Sequence, residues 1–336
     1  MRLSLIIRVE NATRFVTPMY DKVKLWLDVC KAWGESSRLV NLLSDAKEQI
    51  DLHTGEIKSF GNINGLRVGV YPSGVMIEGS LPKYLHGGSN LFPIGRHDTE
   101  DAIGKLSDAL GLHVDGAKVV ALEFGTNFLM RHKPSAYLDR MGEMPRRYRH
   151  RFCTDTLYYK HRGKLQPDIF TFYDKMIEAK SNGMTIPKGF EDANFLRVEL
   201  RLKGGIARQM GVAQVQASTL HDRTFYHRLM AKYIDTYFSI KKLKTQNASF
   251  MAEIRTPKDA VDGFMGLLMA KVGQGQQEID AYLAELKANN IFKDRVSYQR
   301  VRDMLYKAAS KASLTTKDEL VAELDDAFTT LKANGN

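Results

Sequence analysis

Cysteine is scarce in this chain. Cys30 and Cys153 are the only two, far apart and without metal-type pairing. This argues against a disulfide scaffold and a cysteine-bound zinc site, and it fits a reducing cytoplasm. Long apolar runs are missing too. No stretch approaches the roughly 18 uninterrupted apolar residues that span a bilayer, so no membrane partner is expected. Met1 to Glu10 contains Arg-Leu-Ser-Leu-Ile-Ile-Arg, too short and too interrupted for a signal-peptide core. No internal repeat or low-complexity segment occurs. Acidic charge is in deficit: 39 Asp/Glu face 49 Lys/Arg, a formal net charge of +10. A polyanionic partner is favoured, though weakly by charge alone.

The charge is unevenly placed. Between Arg131 and Lys164, ten Lys/Arg stand against only Asp139, Glu143 and Asp155. The densest part holds Arg146, Arg147, Arg149 and Arg151 with Tyr148 and His150 between them. The bland account is a solvated basic loop. Set between two strands of a catalytic sheet, these arginines read better as contacts to a phosphate backbone.

The period of the apolar residues divides the chain. Residues 1–205 read mostly as strands with some helix. Leu3, Leu5 and Ile7 alternate, and Leu66–Tyr71 with Val75–Glu78 form a hairpin around Tyr71-Pro-Ser-Gly74. Gly79–Asn90 reads as a Gly-rich loop. Thr99–Leu112 has helical spacing, with Asp98 or Thr99 as cap, and further helix is expected over Pro18–Ala32. From residue 206 to 336 the period is about 3.6. Helices are expected over Thr219–Lys242, from Pro257, and over Ile279–Asn289, Ser297–Ser310 and Lys317–Lys332. The expected class is α+β: a mainly antiparallel sheet with packed helices, then an all-helical C-terminal region, with the boundary near Gly204–Gly205.

Three predicted strands carry chemistry on one parity. In Val119–Phe128 the even positions are largely apolar and the odd ones include Glu123. In Phe195–Leu202 the even positions are Leu196, Val198, Leu200 and Leu202, and the odd ones include Arg197, Glu199 and Arg201. In Ile169–Met176, Phe170 and Phe172 oppose Tyr173 and Lys175. Packing the apolar parity on helices would gather Glu123, Glu199, Tyr173 and Lys175 on one face. An ordinary polar solvent face is the competing account from parity alone.

The chemistry of the set is coherent. Two carboxylates suit a hard cation such as Mg²⁺ or Mn²⁺, which polarises a phosphate. Tyrosine can serve as a covalent nucleophile, but with a pKa of about 10 only about 0.1% is ionised at pH 7. A cation or the Lys175 ammonium, about 6.6 Å further along the strand, would favour the phenolate. Lys175 could instead neutralise the phosphate or protonate the leaving oxygen.

Three stretches resemble the filamentous-phage gene II replication proteins, the II/X replication family. They are Ile77-Glu-Gly-Ser-Leu-Pro-Lys-Tyr-Leu-His-Gly-Gly-Ser-Asn-Leu-Phe92, Phe170-Thr-Phe-Tyr-Asp-Lys175, and Leu196-Arg-Val-Glu-Leu-Arg-Leu202 with Gly211 downstream. Leu122-Glu-Phe124 is a weaker match, where the family tends to carry an acidic residue, often Asp. The resemblance implies a rolling-circle initiator fold over residues 1–205, with Tyr173 as nucleophile and Glu123 and Glu199 as metal ligands. It implies nicking at a phage or plasmid origin, a 5′-phosphotyrosine, a 3′-OH handed to host helicase and polymerase, and later resealing, all in the bacterial cytoplasm. Lys83 and Arg201 join the four arginines as expected DNA contacts. The broad superfamily uses two metal-ligating histidines, and no His-x-His occurs here. Carboxylates must then hold the metal, with His86 a less favoured addition. Tyr158 and Tyr159 compete with Tyr173, although aromatic cross-strand packing accounts for them. A non-catalytic DNA-binding regulator would leave the clustered carboxylates unexplained, since they repel DNA unless a metal intervenes. A plasmid-transfer relaxase would share the chemistry at a different biological step.

Overall fold

The structure, a computed structural model, describes residues 17–28, 35–242, 244–246, 255–272, 275–310 and 315–334. The expected alternation at Leu3, Leu5 and Ile7 lies outside these residues, as does Cys30. Ten strands build one sheet: β1 (Met19–Asp28), β2 (Ser44–Ile50), β3 (Ile57–Ile63), β4 (Leu66–Tyr71), β5 (Gly74–Ser80), β6 (Lys118–Leu129), β7 (Arg147–Phe152), β8 (Thr156–His161), β9 (Asp168–Asp174) and β10 (Phe195–Leu202). Their spatial order is β2-β3-β4-β5-β1-β6-β10-β9-β8-β7, and each neighbouring pair is antiparallel. The sheet with packed helices is therefore the fold expected from the sequence. β10 has the predicted ends, β6 is one residue longer at each end, and β4 and β5 form the predicted hairpin.

The apolar parity lies on helices. Phe124, Phe128, Phe170, Phe172, Leu196, Val198 and Leu200 are all buried. Beneath them runs the helix Arg223–Phe238, started by Asp222, whose carboxylate accepts from the Phe225 amide at 2.7 Å. Tyr233 of this helix meets Phe124 and Phe170 edge-on and donates to the Val198 carbonyl at 3.1 Å. Phe328, in the helix Glu319–Asn334, stacks on Tyr237 with centroids 3.7 Å apart. Fully burying a side chain of this kind contributes about 1.5–3 kcal/mol.

Several local expectations are corrected. Within Pro18–Ala32 the described part is not helix but β1, because Val23 and Leu25 enter the core while Lys22 and Lys24 turn outward. The 79–90 segment is not all loop. Its first residues finish β5, and Leu81–Leu85 forms a short helix that Ser80 caps, with Pro82 in the first turn. The helix predicted from Thr99 runs over Arg96–Leu110. Its N-cap is Gly95, and Asp98 accepts the Gly95 amide at 2.7 Å from the third helical position. β9 stops at Asp174, which caps the helix Lys175–Ser181 by accepting from the Met176 and Ile177 amides.

The chain forms two compact units. One comprises Met1–Asp139, Glu143–Ile240 and Leu324–Asn336; the other, Arg140–Gly142 and Lys241–Glu323. The helix Arg223–Phe238 thus belongs with the sheet, although it follows the boundary expected near residue 205. The second unit holds the helices Pro257–Val272, Gly275–Ala288 and Arg295–Ser310. It also contains a short antiparallel pair, Lys244–Gln246 with Thr315–Lys317, so the C-terminal region is helical but not wholly so.

Candidate active site

The site lies on the sheet face opposite the helix Arg223–Phe238, across β1, β6, β10 and β9. A β-bulge begins it. Tyr20 pairs with Phe124 and Val23 with Leu122, so Asp21 and Lys22 together oppose Glu123. The extra residue brings Asp21 onto the face that carries Glu123, Glu199 and Tyr173. Gly125 makes the close strand contact possible. A Cβ there would sit 2.3 Å from the Val198 carbonyl oxygen and 3.0 Å from Glu199 Cγ.

Charges of alternating sign form a ladder. Asp21 accepts from Ser80 Oγ at 2.5 Å, Asn90 Nδ2 at 2.8 Å and Arg197 Nη2 at 2.9 Å. Arg197, with no exposed surface, also donates to Glu199 Oε1 at 2.9 Å and Asn127 Oδ1 at 3.2 Å. Arg201 donates to Glu199 Oε2 at 2.9 Å and approaches Glu123 Oε1 at 3.3 Å. The Tyr173 hydroxyl donates to Glu199 Oε1 at 2.7 Å. Burial alone would raise the Glu199 carboxyl, but Arg197 and Arg201 outweigh it and hold it down at about 2. Glu123 goes the other way, to about 7, through burial and the neighbouring Glu199 charge. Burial, then the same carboxylate, raises the Tyr173 phenol well above its ordinary value.

Asp21, Glu123 and Glu199 are the one group among the described residues that could hold a metal ion. Their carboxylate oxygens lie within 4.8 Å of one another. All three are hard oxygen donors, which fits Mg²⁺ or Mn²⁺ better than a thiophilic ion. The raised Glu123 carboxyl also fits, because a cation between the carboxylates would offset the Glu199 charge that disfavours its ionised form.

The expected residues divide by position. Tyr173, Glu123, Glu199, Arg201 and Lys83 line one cleft of about 650 Å³. Lys175 does not share the strand with Tyr173. It opens the following helix, fully buried, and its ammonium donates to Asn90 Oδ1 at 2.7 Å and to Glu178 at 2.5 Å. Burial and the nearby Arg197 lower its pKa. His86 is exposed at the end of its helix, on a neighbouring cavity, and is not in the acidic group. Tyr159 points into the core with no exposed surface, whereas Tyr158 lines the cleft. Arg147 pairs with Asp168 at 2.5 Å and Arg151 with Asp139 at 3.3 Å, and Arg149 donates to the Leu138 carbonyl at 3.2 Å. Arg146 is exposed in the turn before β7. The sequence reading did not single out Asp21, Ser80, Asn90, Asn127 or Arg197. Ser80, Asn90 and Arg197 stood inside the stretches that carry the resemblance; Asp21 gave no signal, because the bulge hides its parity.

A family model for the N-terminal part of a phage replication-associated protein, the gene II protein, matches residues 19–221. The chain belongs to this phage replication family. The match runs from β1 through the short helix Ala217–His221 and includes every residue of the ladder and cleft. No curated protein matches the chain. The resemblance to the gene II proteins of filamentous phage therefore holds at family level. Among the described residues, no helix is long and apolar enough to cross a membrane.

Proposed function

We propose that the chain nicks one strand of its replication origin with Tyr173 and holds the 5′ end covalently until it reseals the displaced strand. The observation that carries this reading is the Tyr173 hydroxyl on Glu199, within the acidic group at the floor of an open cleft. The Tyr173 oxygen attacks the scissile phosphorus while the O3′–P bond breaks. Glu199 orients the hydroxyl but, held at about 2, is too weak a base to keep its proton, so the phenolic proton passes to water as the new bond forms, and the departing 3′ oxygen takes a proton from water. Arg201 and Lys83, at the cleft wall, face the phosphate. Lys175 positions Asp21 through Asn90 and does not touch the substrate. A divalent cation held by Asp21, Glu123 and Glu199 would supply charge neutralisation at the phosphate. Resealing is the same step reversed, with a 3′-OH attacking the phosphotyrosine. The partners are the phage origin and the host helicase and polymerase that extend the freed 3′ end, in the bacterial cytoplasm.

The test is incubation with supercoiled plasmid bearing the phage's own origin, then proteolysis and mass spectrometry of the peptide that retains a 5′-phosphonucleotide. The label is expected on the peptide containing Tyr173. A label on Tyr158 would move the nucleophile to β8. Nicking with no labelled peptide would make water the nucleophile and remove the rolling-circle mechanism.

A further inference from the structure

The two side-chain parities of edge strand β7 differ in kind. Arg147, Arg149 and Arg151 turn towards the face of Tyr159 and Asp168, where their bonds brace the sheet edge. Tyr148, His150 and Phe152 turn to the other face. Register carries that face to the nucleophile: His150 pairs with Tyr158 and Phe152 with Thr156, and Thr156 pairs with Tyr173. These rings are open to solvent. Phe152 is 58% exposed and Tyr148 38%. His150 stacks on Tyr158 at 27° between ring planes, and the Lys160 ammonium lies 4.5 Å from the centre of the Tyr158 ring. Phe152 and Tyr158 also line the cleft that holds Tyr173.

We propose that this face of β7 and β8 is a stacking platform for the bases of a single DNA strand, the strand whose phosphate reaches Tyr173. The proposal rests on the nicking reading. Alternate residues of a strand stand about 6.6 Å apart, which sets Tyr148, His150 and Phe152 in a row along one face. Rings of this kind bind single strands of any sequence, because every unpaired base offers a π-face, while cations nearby hold the backbone. A duplex keeps its base faces hidden. The surrounding segment, with ten Lys/Arg against three acidic residues, is complementary to a polyanion rather than to an apolar protein surface. Exposed Arg146, in the turn just before β7, supplies one such cation.

The experiment uses the full chain with a fluorescently labelled oligothymidylate and a hairpin duplex of equal length. Tyr148→Ala and Phe152→Ala should each weaken single-strand binding by at least about fivefold. Duplex affinity should hold, and so should the salt slope, since no phosphate contact is lost. Phe152→Trp keeps a ring and should bind like the parent protein. Photocrosslinking of an iododeoxyuridine-substituted strand should mark Tyr148 or Phe152. Unchanged single-strand affinity in the double alanine variant would overturn the platform, as would equal losses on strand and duplex. Its failure is separable from that of the nicking reading. A Tyr173 adduct alongside unaffected alanine variants removes the platform alone. Weakened single-strand binding without any adduct keeps the platform and removes the nicking step.

Discussion

Replacing Glu123 by Gln tests the acidic group without touching the nucleophile. In the cation-free protein the Glu123 carboxyl is raised from 4.5 to about 7, first by burial and then by the Glu199 charge. Its charged form is thus disfavoured in the fold by about 3 kcal/mol relative to the unfolded chain. For an acid whose pKa rises on folding, the stabilising contribution is present below the unfolded value and is lost as pH climbs through the folded one. Stability of the chelated parent protein should therefore fall between about pH 4.5 and 7. The glutamine amide imitates the neutral carboxyl at every pH, and Arg201 keeps its bonds to Glu199. In EDTA at pH 8, Glu123→Gln should accordingly be more stable, by up to about 3 kcal/mol; near pH 4 the two proteins should converge. At about 2–4 °C per kcal/mol this is visible in a thermal melt, and urea titration gives the same comparison. Mn²⁺ should raise the melting temperature of the parent protein, because a ligand that binds only the folded state stabilises it, and should do so far less in the variant. A variant less stable than the parent at pH 8 in EDTA, or one equally stabilised by Mn²⁺, would refute the argument.

Four further outcomes follow from the same geometry. Tyr173→Phe removes one hydroxyl and leaves Glu199 bonded to Arg197 and Arg201, so the fold and DNA binding should survive while nicking and the covalent adduct vanish on a gel of labelled origin DNA. Gly125→Ala forces a methyl group to within 2.3 Å of the Val198 carbonyl oxygen and against Glu199 Cγ. It should cost about 1–3 kcal/mol in urea denaturation and depress nicking together. Arg146→Ala should flatten the salt dependence of duplex binding by about 0.9 for a single lost phosphate contact. Arg147→Ala should act instead on stability, since its partner Asp168 is buried and would keep only its ring contact to His161, at 2.8 Å, among the side-chain contacts of the described residues.

Much of the site was legible because period 2 is a strict rule wherever one face of a strand is buried. β6, β9 and β10 obey it, so Glu123, Glu199 and Tyr173 could be placed on one face from parity alone. The rule reaches only as far as the strand. Lys175 follows Tyr173 by two, yet the Asp174 carboxylate takes two helix-start amides and ends the alternation between them. Similarly, the apolar stripe of Arg223–Phe238 was readable from its spacing. That it packs beneath Phe124 and Phe170 was not, because a stripe names no partner.

β1 shows why the third carboxylate was hidden. A bulge places two successive residues, Asp21 and Lys22, opposite one, so the parity of everything after it is inverted relative to what came before. Tyr20 and Val23 both enter the core though three positions apart, and that interval reads as a helical one. The irregularity that defeats the sequence reading is also what builds the site. A regular strand would carry a single residue opposite Glu123 and could not set Asp21 beside it with Val23 still buried. Bulges recur beside active sites for this reason, since they re-aim one side chain without surrendering the register of the rest. Asp21 is further held from outside its own strand, by Ser80 at the end of β5 and by Asn90 in the loop beyond. Its position is thus fixed by residues 59 and 69 positions away in sequence, a dependence that no local pattern expresses.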